Sequence, residues 1–302
     1  MQNILDKALR QGRSVTGLGE VASYIPELSK ADKNHVGVCV MDCVGGCFEA
    51  GDVDVRFTVQ SISKVVSLAI ALELYGMEAV FGQIGMEPSG DAFNSIVKLA
   101  GDASRPYNPM VNSGAIAVAS YIAPELTFEE MLERTRELCG DPEIAFNEAV
   151  YHSEMSTTSR NRAICYLLES KGVLRCGVDE ALELYIKMCS LNVTARSLAY
   201  LGLLLANGGI RLQDGKQLLQ PETVRVVKSI MHTCGMYDGS GEFAVRVGVP
   251  TKSGVGGGLL SVVNKRMGIG IFGPSLDKKG NSIAGEKILQ FLSAQMKLHV
   301  FD

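Results

Sequence analysis

The chain has 302 residues, 46% of them hydrophobic and 21% charged, an ordinary composition for a globular protein with a sizeable core in one large domain or two ordinary ones. Its net charge of −4 supplies neither a basic face for nucleic acid nor a polybasic membrane anchor, and argues against both partners. Residues 1–15, MQNILDKALRQGRSV, lack an apolar signal core, and the most apolar run, Leu198 to Leu205, is too short to span a bilayer, so a cytoplasmic protein is expected.

A short helix opens the chain, followed by the segment GEVASYIPELSK. HVGVCVMD then reads as a strand, CFEAGD as its hairpin partner across a Gly45-Gly46 turn, and VRFTVQ as a third extended run. Residues 63–75, SKVVSLAIALELY, are apolar nearly all round and predict a buried helix ending near Gly76. Thr127 and Glu130 form a capping box for a helix ending at Gly140, and Asp141-Pro142 is expected to start another, with proline at its first position. Further helices are predicted at about 160–170, 179–189, 194–207 and 221–231, the third of these closed by Gly208-Gly209. EFAVRVGVP, GGLLSVVN and RMGIGIFG, rich in Val, Ile and Phe, read as strands, and a last helix as running from about 283 to 296.

Strands at both ends with helices between them predict an α/β (α+β) protein. Residues 1–60 and 236–302 would build an antiparallel sheet lobe, its terminal helices on one face. Residues 61–235 would form a mainly helical lobe, with a small-molecule cleft between the two.

The eight cysteines include no CxxC pair. Cys39, Cys43 and Cys47 recur every fourth residue in a segment read as strand, which would spread them along its length instead of gathering them around a metal. Reduced cysteines acting as small hydrophobes are expected. The four histidines, at 35, 152, 232 and 299, form no HExxH, so neither a zinc site nor a histidine base is expected.

Chemistry enters with Ser61-Ile62-Ser63-Lys64, an S-x-x-K where an extended run becomes a helix. Positions three apart share a helix face, so hydroxyl and ammonium can meet. A serine alcohol needs an adjacent base, and a lysine serves only when burial or a nearby cation lowers its pKa. The apolar helix after Lys64 would bury it, and a helix start points backbone N–H groups at a developing oxyanion. A second copy, Ser95-Ile96-Val97-Lys98, follows no strand and reads as structural. Asn112, in the loop YNPMVNSGA, and Lys252-Ser253-Gly254 complete the order S-x-x-K, Asn, K-[ST]-G of serine β-lactamases and penicillin-binding proteins. The glycine run 254–258 lacks G-x-x-x-x-G-K and reads as close packing beside the site, not as a phosphate loop.

At this level of detail the sequence resembles the serine-dependent glutaminases, a branch of the β-lactamase-like fold. The likeness covers nearly the whole chain through VASYIPELSK, FTVQSISKV, EPSGDAFNS, NPMVNSGAIA, SEMSTTSRNRA, the tyrosine helix ending MCS, LANGG, MHTCGMYDGSGEFA, PTKSGVGGG and LDKKGNS. Between Glu154 and Asn161 the chain carries fewer glycines than that family's pattern. The resemblance implies Ser61 as nucleophile, Lys64 as general base, and the N–H groups of Ser61 and Val255 as oxyanion hole. It implies Tyr24, Asn112, Glu154, Asn161 and Tyr185 around the amino-acid end of the substrate, and Tyr237 assisting proton transfer. It further implies L-glutamine as substrate, no cofactor or metal, and a homodimer or homotetramer. The residue types suit glutamine: an anion, Glu154, for a buried ammonium, and neutral amides for a carboxylate. Two rivals stand beside this reading. One is a β-lactamase or peptidoglycan peptidase on the same fold, disfavoured by the missing signal peptide. The other is a catalytically dead amino-acid sensor, disfavoured by the intact Ser61/Lys64 pair.

Overall fold

A computed structural model describes the chain from Met1 to Asp302 except residues 91–93, 97–99 and 102–103. The second S-x-x-K therefore ends outside the described residues, at Lys98.

One five-stranded antiparallel sheet organises the molecule. Its strands are β1 (Gly37–Asp42), β2 (Cys47–Gly51), β6 (Thr251–Ser253), β7 (Gly258–Val263) and β8 (Met267–Phe272), in the order β2-β1-β8-β7-β6. The N- and C-terminal segments thus share one sheet, joined where β1 pairs with β8 from Gly37↔Phe272 to Asp42↔Met267. The first hairpin turns at Gly45, whose φ of 93° suits glycine, while the Asp42 carboxylate accepts the N–H groups of Val44 and Gly46. Cys47 is thereby folded back beside Cys39. The predicted spreading of the cysteines along one strand is corrected: a turn between them cancels their separation in sequence.

Side chains alternate across the sheet with the period of two that a pleated strand imposes. Val38, Val40, Leu259, Ile269 and Ile271 share a core with α1 (Gln2–Arg13) and α11 (Ile283–Met296) on one face. Cys39, Leu260, Val262 and Phe272 belong to the larger core on the other, where helix α8 (Ala195–Ala206) lies across the sheet. Gly268 and Gly270 on β8 permit that approach: a Cβ at Gly270 would stand 1.9 Å from the Ala195 carbonyl oxygen.

Within the larger core lies α2 (Ser63–Gln83), whose residues 63–72 are all buried. By length and composition alone α2 is apolar enough to cross a bilayer; here its first three turns lie within the helical core. The helix breaks at Gly76, φ 74° and ψ 171°, where its end was predicted, and helical turns resume to Gln83. Against it pack α3 (Asn112–Ile122) and α9 (Pro221–Cys234); α6 (Ser159–Ser170) and α7 (Val178–Cys189) pack on α3, and α4 (Phe128–Cys139) and α5 (Glu148–Ser156) on α7. The capping box at Thr127 and Glu130 forms, and Gly140 closes α4 in the left-handed region.

Three predicted elements differ. Asp141-Pro142 starts no helix, because the Asp141 carboxylate accepts the Glu143 N–H and the Ser197 hydroxyl, making a turn into β4 (Ala145–Phe146). EFAVRVGVP is mostly helix α10 (Ser240–Arg246): Phe243 and Val247, four apart, are buried, whereas Val245 is 79% exposed. A strand would put all three on one face. VRFTVQ supplies only β3 (Phe57–Thr58), which pairs not with the first hairpin but with β5 (Leu191–Val193) in a small sheet completed by β4.

Candidate active site

Immediately after β3 the chain tightens into a 3-10 turn, Gln60–Ile62, that runs into α2. Gln60 holds φ 48°, a conformation that non-glycine residues rarely adopt, and this bend presents the next residue, Ser61. Gly254 and Gly256 lie against the same backbone: Cβ atoms there would stand 2.8 Å from the Val59 carbonyl oxygen and 2.3 Å from that of Thr58. The glycine run is therefore a close-packing device, and it carries the buried Val255 up to the serine turn. Among the described residues, neither the Ser61 nor the Val255 N–H finds an acceptor in turns, loops or strand pairs.

Lys64 is 2% exposed, one helical turn beyond Ser61. Its ammonium donates to the Met110 carbonyl oxygen at 3.1 Å and to Asn112 Oδ1 at 2.8 Å. Burial lowers its pKa to about 8, countered in part by Cys189 and Glu154. Asn112 was expected in a loop; it is instead the first residue of α3, with Asn108 Oδ1 accepting the N–H groups of Met110 and Val111 just before it. From Asn112, Nδ2 donates to Asn161 Oδ1 at 3.0 Å, so a directed chain runs Lys64 to Asn112 to Asn161.

Glu154, on α5, is buried, and burial raises its carboxyl to about 7 against the smaller opposing effects of Gln60 and Lys64. Gln60 Nε2 donates to its Oε2 at 3.4 Å. Tyr185 is buried on α7 with its ring centroid 5.8 Å from the Lys64 Nζ, and burial pushes its phenol well up. Tyr24 is half-exposed as a residue, and desolvation of its phenol, with smaller effects of Tyr237, Glu154 and Cys189, raises its pKa.

Tyr237 opens the 3-10 turn Tyr237–Gly239 with φ 54°, a second strained non-glycine residue at the site. Burial pushes its phenol up, and the neighbouring Ser61 and Ser253 hydroxyls offset this only in part. Under its ring lies Lys252, wholly buried, its Nζ 4.3 Å from the ring centroid and donating to the Gly235 and Ser253 carbonyls. Burial, reinforced by the Lys64 charge, holds the Lys252 pKa well below normal.

The fold thus gathers Tyr24, Ser61, Lys64, Asn112, Glu154, Asn161, Tyr185, Tyr237 and Val255 from eight separate segments. Sequence reasoning missed three neighbours. Gln60 had its position before Ser61 as a signal. Cys189 sits one helical turn after Tyr185, a spacing that puts both on one face, and its thiol reaches the Ser63 hydroxyl at 3.7 Å. Lys252 was legible only as a motif letter, not as the floor under Tyr237.

An antiparallel sheet with K-S-G at its edge strand, flanked by helices of which one begins with S-x-x-K, and a buried polar cluster around Ser61 define a β-lactamase-like enzyme. Comparison with known proteins narrows the class. The family model for glutaminase matches residues 19–301. The glutaminase of Alkaliphilus oremlandii is 47% identical over the full length of both chains, and glutaminase 2 of Clostridium perfringens 48%. Among solved structures, the probable glutaminase YbaS superposes with a TM-score of 0.92 at 39% identity, covering 100% of this chain and 99% of that one. A probable glutaminase from Bacillus subtilis complexed with 6-diazo-5-oxo-L-norleucine gives 0.91 at 34% identity, covering 99% and 97%. The chain belongs to the glutaminase family, hydrolases acting on the amide of glutamine.

Proposed function

We propose that the chain converts L-glutamine and water to L-glutamate and ammonia through a γ-glutamyl ester on Ser61, with Lys64 as base. The observation that carries this is the seat of Lys64: fully desolvated one turn from Ser61, with a pKa lowered to about 8 so that a useful fraction is neutral at physiological pH.

The neutral Lys64 amine takes the Ser61 proton as the Ser61 Oγ–C bond forms at the amide carbon. The resulting oxyanion is held by the Ser61 and Val255 N–H groups, which have no competing acceptor in the surrounding backbone. The C–N bond then breaks as a proton passes to the leaving nitrogen, with Tyr237, whose buried phenol lies beside Ser61, as the relay. Water, deprotonated by the same pair, attacks the ester, and Ser61 recovers its proton as glutamate leaves. At the other end of the substrate, Glu154 meets the ammonium, whose charge supplies the counterion that the buried carboxylate lacks. The Lys64–Asn112–Asn161 chain uses the acceptor oxygens of both amides internally and leaves the Asn161 NH₂ for the substrate carboxylate. Tyr24 and Tyr185 close the pocket around the same end.

The Bacillus subtilis relative supports this reading, since its bound compound is an α-amino acid with its keto group at the carbon corresponding to the glutamine amide carbonyl. The test is ammonia release from L-glutamine by the purified protein, with L-asparagine and Ser61→Ala as controls. Release from glutamine that disappears in Ser61→Ala is expected; appreciable activity in that variant, with its fold intact, refutes the mechanism.

A further inference from the structure

Outside the active site, the β1–β2 hairpin brings two thiols and a carboxylate to one spot. Cys39 pairs directly with Glu49, and Met41 with Cys47, so residues 39, 47 and 49 all project from the same face. We infer that Cys39, Cys47 and Glu49 form a binding site for a thiophilic divalent cation of the zinc type.

The geometry is that of a coordination shell. The Cys39 and Cys47 sulfurs lie 3.7 and 3.8 Å from Glu49 Oε1, and all three ligand atoms fall within 4.8 Å of one another. A tetrahedral zinc ion with Zn–S of about 2.3 Å and Zn–O of about 2.1 Å separates sulfur from oxygen by about 3.6 Å and sulfur from sulfur by about 3.8 Å. Both sulfur–oxygen pairs thus stand close to their liganding separations already, and the sulfurs lie within 4.8 Å of each other on a paired hairpin. Charge agrees as well. Two thiolates and a carboxylate carry three negative charges, which a divalent ion and the adjacent Arg196 balance. Arg196 Nε meets Glu49 Oε1 at 2.6 Å and Nη2 meets Oε2 at 2.9 Å, holding Glu49 ionised and fixing its plane, while Nη1 reaches Asp54 at 2.8 Å. Burial pushes the Cys39 thiol up, and partial desolvation with the Glu49 charge raises that of Cys47, so each gives its proton to solvent only as a metal–sulfur bond replaces it. Cys47 is exposed, which provides the entry path and leaves a fourth position to water. Sulfur ligands favour zinc-like ions over magnesium or calcium.

The test is anaerobic titration of the reduced full-length protein with Cd²⁺, following the ultraviolet sulfur-to-cadmium charge-transfer band. The band should saturate at one equivalent, be reversed by excess Zn²⁺, and be lost in Cys39→Ser and in Cys47→Ser. It should persist in Cys176→Ser, which removes a partly exposed thiol elsewhere. Because Cys47 is exposed, its serine variant keeps the fold and is the decisive arm. Undiminished one-equivalent binding in Cys47→Ser, or no saturable band in the unsubstituted protein, overturns the site.

Discussion

On the proposed mechanism, the pH dependence of turnover follows from two buried groups of opposite charge. Lys64, lowered to about 8, must be neutral to accept the Ser61 proton. At pH 7 such a lysine is about one-tenth neutral, against roughly one part in three thousand for an ordinary one, a difference of about 3 kcal/mol in the availability of the base. Between pH 6 and 8 its neutral fraction climbs from about 1% to about 50%, so kcat should rise roughly 50-fold. Glu154, raised to about 7, must be ionised to receive the substrate ammonium, and its ionised fraction climbs about tenfold over the same interval. Bound substrate holds Glu154 ionised, so kcat carries the lysine alone. kcat/KM reports the free enzyme and carries both groups, rising several-hundred-fold in all. Initial rates of ammonia release across pH 5.5–9, at saturating and at low glutamine, separate the two. A kcat that changes less than about threefold from pH 6 to 8, with chemistry rate-limiting, refutes Lys64 as the titrating base.

The same groups bear on stability and packing. A carboxyl whose pKa is raised on folding stabilises the fold below its unfolded value and loses that contribution as pH climbs to about 7, so above pH 7 Glu154 is a burden to the substrate-free protein. Glu154→Gln should therefore raise KM for glutamine at least tenfold without lowering the Tm of the substrate-free protein at pH 8; an unchanged KM excludes the ammonium role. Tyr237→Phe keeps the ring over Lys252 but removes the hydroxyl at Ser61, and should cut kcat about 10²-fold with little change in KM, the size of a lost acid–base contact. A kcat within twofold of the unsubstituted enzyme would rule out the relay. Gly270→Ala would set a Cβ 1.9 Å from the Ala195 carbonyl oxygen and 2.5 Å from the Ala199 nitrogen, forcing α8 off the sheet at a cost of about 1–3 kcal/mol. Thermal unfolding measures it, and an unchanged Tm would mean that the helix–sheet contact yields freely.

The elements governed by local chemistry were legible in the chain itself. The capping box at Thr127, the glycine turn at Gly45, the run into the last helix at 283, and the S-x-x-K at a strand-to-helix junction all depend on neighbours a few residues away. Ten short motifs in order added the family and a set of candidate site residues. Local pattern failed where a distant partner decided the outcome. Asp141 was drawn into a turn by Ser197, and Phe243 and Val247 became one face of a helix because a core lay on one side only. What only tertiary structure decided is the chemistry of the site. Removal of water lowers the Lys64 pKa to about 8, burial raises the Glu154 carboxyl to about 7, and Lys252 supports Tyr237 through a 4.3 Å contact with its ring. Desolvation and contact distance belong to packing among segments far apart in the chain, so a sequence names such groups without stating their proton affinities. The cysteines follow the same rule: seven residues separate Cys39 from Cys47 along the chain, and the hairpin register brings their sulfurs within 4.8 Å.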